Sequence, residues 1–523
     1  MIVHELEQIL LEELGYIESP EFIQGAQIPW PGGRAIPEVH AALFLKNIPI
    51  AYFSRLSELD PTRIHRLHKQ VWSQSRAPLL FVTLPHEIRI YNGYETSPLE
   101  GEALDAPSRL LQHLDALTDE LTARQKIQQQ LVEQHYERIY LETGAFWDTI
   151  EGQRINYQHR ADQLLISGMK QMRMLLTQAG LSNHIAYTLL GRSIFIRYLE
   201  DRGVLTTALI TDMTDGQAHS YRDALADHAV TYRLFERLSE RFNGDLFPIE
   251  ADEENVSPQH LDLLQRFLER ENLETGQLSL FPFDFEYIPI ELISHIYDTF
   301  IEDQRGSGAY YTPLLLADFI LEETMGADVI EPEMTIFDPA CGSGIFLVGA
   351  YRRLIQAWRE SGNHVTPADL NRILTGQIVG CDLNPEAVCI AAFSLYLEIL
   401  NHLTSEQIQD DSFRFPSLQK TNLLVSDFFD EERVDDFLAT RQFDRIVGNL
   451  PWGKNTLTKS AAQWLSKQKQ LVGGKQAAPA FMLRVPKYCE EDGEIALLAP
   501  AKSTIFVTSS PHRTFRENFF CRY

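Results

Sequence analysis

Cysteine is scarce: Cys341, Cys381, Cys389, Cys489 and Cys521 are the only five among 523 residues. None are spaced C-x-x-C and no His-rich stretch joins them, which argues against a disulfide framework or a metal centre. Positive charge is also short. Lys and Arg number 46 against 73 Asp and Glu, a net charge of -27. Such a surface does not grip nucleic acid all over, because phosphate binding needs clustered cations. A DNA-acting protein of this composition needs one local basic patch. No apolar run approaches the ~20 residues that span a bilayer. The start, MIVHELEQIL, carries acids where a signal peptide has a basic region. These absences point to a soluble, cytoplasmic protein. Hydrophobic residues make up 44% and charged residues 23%, ordinary globular material whose length suits about two to four domains.

Three regions follow. Residues 1–105 read as mixed α/β. HELEQILLEELG predicts a helix with Leu6, Leu10 and Leu14 on one stripe and Gly15 as its stop. HAALFLKN, IPIAYFS, PLLFVTLP and EIRIYNG are strand-length runs broken by Pro, Asn and Gly. Residues 106–305 read as helical. LTDELTARQKIQQQLVEQHYERIYLETG predicts a long polar connecting helix, and Leu165, Met169, Met172 and Leu176 share a face of the next. The aromatic, Pro-broken stretch 278–291 reads as a packed connector. Residues 306–523 alternate strand, turn and helix, through MTIFD, IVGCD, NLLVSD, DRIVGN and EIALLAP. That is the pattern of a parallel, doubly wound sheet. Four of the five runs end in Asp or Asn. Ligands of such sheets lie at the carboxyl ends of the strands, so these polar ends face one crevice.

Each end suggests a task. In FDPACGSGIFL, Gly342 and Gly344 let the backbone turn and approach a ligand, and Asp338 offers a carboxylate to an ammonium or hydroxyl. The turn lacks the Lys-Ser/Thr of a phosphate loop. Asp382, ending the second strand, is placed to take a ribose diol; a helix start at Asn384 with Pro385 in its first turn is compatible with that. Asp427 can accept from an exocyclic amine, and Phe428 offers a flat face to a purine. The fourth strand ends NLPW. The Asn449 amide oxygen can accept from an amine, Pro451 holds Leu450 extended so that its carbonyl can accept the second amine proton, and Trp452 offers a π-face to a flipped base. A β-turn with a buried Trp is the bland alternative. Upstream, Thr312 is expected to cap a helix starting at Pro313, whose N-terminus suits a carboxylate. Downstream, residues 453–475 hold five Lys and no acid, a basic patch for a nucleic-acid backbone or a solvated loop.

In order, GAYYTP, DPACGSG, CDLNP, SDFF, NLPW and FMLRVPKYCEEDGEIALLAP resemble the amino-group DNA methyltransferases of the gamma arrangement, most of all the N6-adenine type. The resemblance implies a Rossmann-like domain binding S-adenosylmethionine through Tyr311, Thr312, Asp338, Ala340, Gly342, Asp382, Asp427 and Phe428. It implies catalysis on double-stranded DNA by Asn449, Leu450, Pro451 and Trp452. FWDTIEG, GRSIFIRYLEDRG and FDFEYIPIELISHIYDTFIEDQRGSGAYYTP are similar to the helical linker of single-chain type IIG restriction-modification enzymes.

Three departures matter. The family usually has Pro where Leu450 stands, so a less rigid loop is expected. The amino-terminal region is similar to a PD-(D/E)xK nuclease domain, but Glu38 replaces the first Asp, and Ser54 and Leu56 occupy the Glu and Lys positions. A degenerate domain without cleavage is expected, since that carboxylate pair binds Mg2+. The chain also ends at FRENFFCRY, soon after the fifth strand. The methyltransferase domain is therefore expected to be C-terminally incomplete, either truncated or completed by a second chain supplying strands and target recognition. N4-cytosine methylation, a non-catalytic cofactor- or DNA-binding subunit, and glutamine methylation of a protein are the competing readings.

Overall fold

A computed structural model describes residues 3–30, 34–45, 48–98, 103–242, 253–268, 283–292, 312–410, 413–419, 421–453, 455–470 and 475–499. The fold is mixed α/β with two separate sheets.

The first sheet has six strands in sequential order: β1 Phe22–Gln24, β2 Val39–Leu45, β3 Ile48–Arg55, β4 Leu79–Leu84, β5 Glu87–Asn92 and β6 Leu110–Leu114. Only β3 and β4 pair in parallel, because helix Pro61–Gln74 carries the chain across between them. Asp60 starts that helix by accepting from the N–H groups of Thr62 and Arg63, and Pro61 fills its first turn. Its Ile64, Leu67 and Val71 pack with Ala42, Tyr52 and Leu80. The opposite face packs with helix Val3–Glu13 through Leu6 and Leu10, against Leu43, Ala51 and Phe53. Both faces are covered, which is why these strands read as nearly continuous apolar runs.

The expected long helix over 117–144 is broken. It forms a helix Glu120–Ile127, a wider turn Gln128–Val132, a reversal at His135 (φ +65°), and a helix Arg138–Thr143. Ala123, Ile127, Leu131, Tyr136 and Leu141 are buried in the first sheet's core. A straight helix cannot place all five there, so packing overrides local preference. The same core reaches Ile155, and β6 lies beyond residue 105. The expected boundary at 105 therefore falls inside the sheet.

Helices Ala161–Gln178 and Asn183–Asp201 form as expected, with Leu165, Met169, Met172 and Leu176 buried. They share a continuous apolar core with helices of the second sheet. Phe195 meets Phe393 edge-on at 4.9 Å, and Trp72 stacks on Phe283 at 5.2 Å. The described part of the 278–291 stretch is thus packed. A buried ionic cluster lies nearby. Arg352 forks onto Glu398 with two bonds of 2.9 Å and reaches Glu291 at 2.7 Å. Asn401 donates to Glu398, and His402 lies 3.1 Å from it.

The second sheet comprises β7 Ile336–Asp338, β8 Ile378–Asp382, β9 Leu423–Val425, β10 Phe443–Asn449 and β11 Cys489–Leu498. The order is β11-β10-β7-β8-β9, with every pairing parallel. Each of the five runs expected as strands forms one. Helices Ile345–Glu360 and Pro385–Asn401 pack on one face, and helices Glu431–Leu438, Lys459–Lys467 and Ala478–Arg484 on the other. The chain winds outward from β7 to β9, then returns to β10 on the other side of β7. That reversal opens a crevice at the carboxyl ends of β7 and β10. Residues 500–523, where completion of the sheet was in question, lie outside the described residues.

Candidate active site at the carboxyl ends of the second sheet

Asp338 ends β7 at the centre of the sheet and is fully buried. One carboxylate oxygen accepts from the Ala340 N–H at 3.0 Å. The other has no hydrogen-bond partner. Burial, with Asp382 nearby, pushes this carboxyl well above the ordinary value. A buried acceptor left unpaired is costly, so the site suits a ligand that brings a cationic donor. Gly448 on β10 makes room: a Cβ there would lie 2.6 Å from the Asp338 oxygen. Gly342 and Gly344 have φ of +53° and +87°, where a side chain is strained. A Cβ on Gly344 would also lie 3.0 Å from that of Ala391, on the helix packed alongside.

Asp382 ends β8 and ties two loops together. It accepts from Gly342 N–H at 2.9 Å and from Asn384 N–H at 2.8 Å. Asn384 caps helix Pro385–Asn401, as expected. Leu383, not singled out from the sequence, is 57% exposed beside it and offers an apolar surface at the crevice mouth. The signal was an apolar residue between two polar ones at a strand end. Asp427 lies two residues past β9 and accepts from Phe429 N–H at 3.0 Å. Phe428 is placed differently from the expectation. It is 2% exposed, stacked on Phe481 at 5.0 Å, with the Arg484 guanidinium 5.0 Å from its ring. Its faces serve the core beneath the sheet, because the apolar and cationic neighbours there outcompete a position at the rim.

Asn449 ends β10 beside Asp338. Its Nδ2 donates to Thr312 Oγ1 at 3.1 Å, and its Oδ1 accepts from the Trp452 indole N–H at 3.2 Å. Thr312 is therefore not the helix cap. The helix runs Leu314–Met325 with Pro313 at the cap position and no side-chain capping bond. Proline there sets the backbone, and the Thr312 hydroxyl turns to Asn449 instead. Leu450 is buried, and its N–H donates to the Leu498 carbonyl on β11 at 3.2 Å. A proline at 450 could not make this bond. The anchor offsets the loss of rigidity expected from the missing ring. Pro451 and Trp452 are half-buried. Tyr311 lies outside the described residues.

Within the Lys-rich stretch, Lys459–Lys467 forms a helix, with Trp464 packed on Phe429 at 5.5 Å. Lys467 pairs with Glu431 at 2.6 Å. Among the described residues, no cluster of His, Cys, Asp and Glu could hold a metal ion, and no helix is long and apolar enough to cross a membrane.

The comparisons agree with this geometry. Residues 289–519 match the family described as N-6 DNA Methylase. The adenine-specific methyltransferase PglX of Streptomyces coelicolor is 39% identical over 87 residues, 16% of this chain and 7% of that protein. The type II restriction enzyme and methyltransferase RM.Eco57I of Escherichia coli is 23% identical over 434 residues, 70% of this chain and 41% of that protein. The chain thus matches less than half the length of either relative. Among solved structures, the type IIG restriction endonuclease BpuSI is 13% identical, covering 98% of this chain and 52% of that one, with a TM-score of 0.37. The matched residues 289–519 thus include the doubly wound sheet and the Asp338–Asn449 crevice, and over them the chain is similar to the N-6 DNA Methylase family.

Proposed function

We propose that this chain methylates the N6 amine of adenine in double-stranded DNA, as part of a restriction-modification or phage-defence system in the cytoplasm. The observation that carries the reading is the pairing at the switch point: a buried, half-unpaired carboxylate on β7 beside an oriented amide on β10. S-adenosylmethionine supplies an electrophilic methyl group when bound. Asp338 fits its ammonium, Asp382 its ribose and Asp427 its adenine amine, while Ala340 and Gly342 shape the loop. Thr312 stands on the approach to the same crevice; Tyr311 is assigned to the cofactor by resemblance alone. The flat contact once expected from Phe428 is reassigned to Leu383, and Phe428 supports the floor. Asn449 Oδ1 and the Leu450 carbonyl accept the two protons of the target amine. This orients the amine's lone pair toward the methyl group and stabilises the positive charge it gains. Pro451 fixes the turn and Trp452 stacks on the flipped base.

The reading divides the chain into a nuclease-like domain over 1–105 extended through β6, a helical connector to about 305, and the methyltransferase domain from 306. In this reading the first is degenerate, which three residues support. Glu38 pairs with Arg66 at 2.7 Å, Ser54 is buried and Leu56 lies in the core, so these three positions offer Mg2+ a single, already paired carboxylate. A partner chain bringing target recognition belongs to this reading, because so acidic a chain holds few cations for phosphate.

Tritiated methyl transfer from S-adenosylmethionine to mixed plasmid DNA tests the proposal, with Asn449→Ala as control. Label on N6-methyladenine, lost at least a hundredfold in the variant, and intact DNA with Mg2+ present, are expected. Label on N4-methylcytosine would replace the base. Cofactor binding with no transfer would leave a non-catalytic subunit.

A further inference from the structure

The amide of Asn449 has two ends that differ in chemistry but hardly in shape. A half-turn about its last bond exchanges them. With Nδ2 toward the target amine, donor would face donor, and the lone pair of the amine would lose its acceptor. Something must therefore set the amide's direction before the base arrives.

Two described side chains bear on it, one at each end. The Trp452 indole N–H can donate but never accept. Only Oδ1 can face it, at 3.2 Å. At the other end, Thr312 Oγ1 takes the bond from Nδ2 at 3.1 Å. A hydroxyl can donate or accept, so Thr312 alone would tolerate either direction, and the indole settles the choice. Thr312 is 7% exposed, so water does not readily replace it. Its backbone is fixed by Pro313, which leads into helix Leu314–Met325, and that helix packs into the core with the helices flanking β7.

We propose that Thr312 is a positioning residue for Asn449, and that it works with the indole N–H of Trp452 to hold the amide oxygen toward the target amine. The inference rests on the methyltransferase reading. It requires no cofactor-holding role for Thr312, since the part played here is that of the hydroxyl oxygen as acceptor for Asn449. It also gives Trp452 a task that a phenylalanine ring cannot perform. A base stacked on the indole meets an oxygen already aimed.

The test compares Thr312→Val, Thr312→Ser and Trp452→Phe in the full chain. Thr312→Val keeps shape and removes the acceptor. It is expected to lower kcat for methyl transfer roughly ten- to a hundredfold, with KM for DNA and calorimetric Kd for S-adenosylmethionine within about twofold. Thr312→Ser restores most of the turnover. Trp452→Phe lowers kcat in the same range. The second readout needs no turnover: side-chain amide spectra of protein labelled with 15N-asparagine, the Asn449 pair being assigned by its loss in Asn449→Ala. Slow proton exchange of that pair is expected in the wild type and Thr312→Ser, and fast exchange in Thr312→Val. A large rise in cofactor Kd with kcat unchanged in Thr312→Val would overturn the proposal. So would an Asn449 amide that exchanges rapidly in the wild type. If the wild type transfers no methyl group, the functional reading fails and the amide spectra alone decide this one.

Discussion

At the scale of single residues, Asp338 carries the sharpest consequence. Its carboxyl is raised by burial, so the folded apo protein holds that proton more tightly than the unfolded chain does. The associated stability is full below the ordinary value of 3.8 and is lost as pH rises through the folded value. Asp338→Asn removes that slope. Urea denaturation across a pH series should show the variant no less stable than wild type near neutrality, while calorimetry shows cofactor affinity reduced at least tenfold. A variant that melts early at every pH would contradict the assignment of Asp338 as a ligand group built at the expense of stability. The sequence made Asp338, Asp382 and Asn449 legible, because polar residues closing apolar strands have few structural reasons to be there. It could not reveal that Thr312 meets Asn449, since 137 residues separate them. Nor could it show that Phe428 turns inward, because a Phe beside a strand end suits rim and core equally.

At the scale of elements, β7 and β10 approach so closely that one hydrogen atom decides the crevice. Gly448→Ala places a methyl group 2.6 Å from the Asp338 oxygen. At that separation the carboxylate must shift. The expected outcome is a loss of about 1–3 kcal/mol in chemical denaturation, with cofactor affinity reduced roughly tenfold or more as the carboxylate leaves its place. A variant that binds cofactor normally would show that the crevice adjusts more freely than its packing implies. The parallel strands were legible because burial on both faces makes them continuous apolar runs. The broken helix over 120–143 was not. Its polar surface satisfied a helical pattern, and only the shape of the first sheet's core demands the kink at Gln128–Val132.

At the scale of the molecule, the helical layer and the methyltransferase helices are joined by one apolar core and by the Arg352 cluster. Glu398 is fully buried. Burial alone would raise its carboxyl, but Arg352 and His402 more than offset that and hold it below the usual range. Its contribution is therefore full above 4.5 and fades as pH falls through the folded value. Arg352→Met leaves Glu398 and Glu291 without their cation. Denaturation at neutral pH should show a loss of about 3–5 kcal/mol. The sign of the pH dependence should also reverse, with part of the loss recovered on mild acidification as Glu398 takes up a proton. A loss under about 1 kcal/mol, typical of exposed pairs, would mean the cluster is solvated.

The return of the chain from β9 to β10 also sets a clock. Thr335, before β7, receives its partner Asp444 at 2.8 Å only after 109 further residues. At a ribosomal rate of ~5–20 residues per second, that interval is on the order of ten seconds. Within it β8 and β9 are synthesised, while the edge of β7 that pairs with β10 has no partner strand yet. The Asp338 side of the crevice is made early and the Asn449 side late. On the proposed reading, a chain interrupted between them carries the Asp338 and Asp382 carboxylates but lacks the Asn449 acceptor for the target amine.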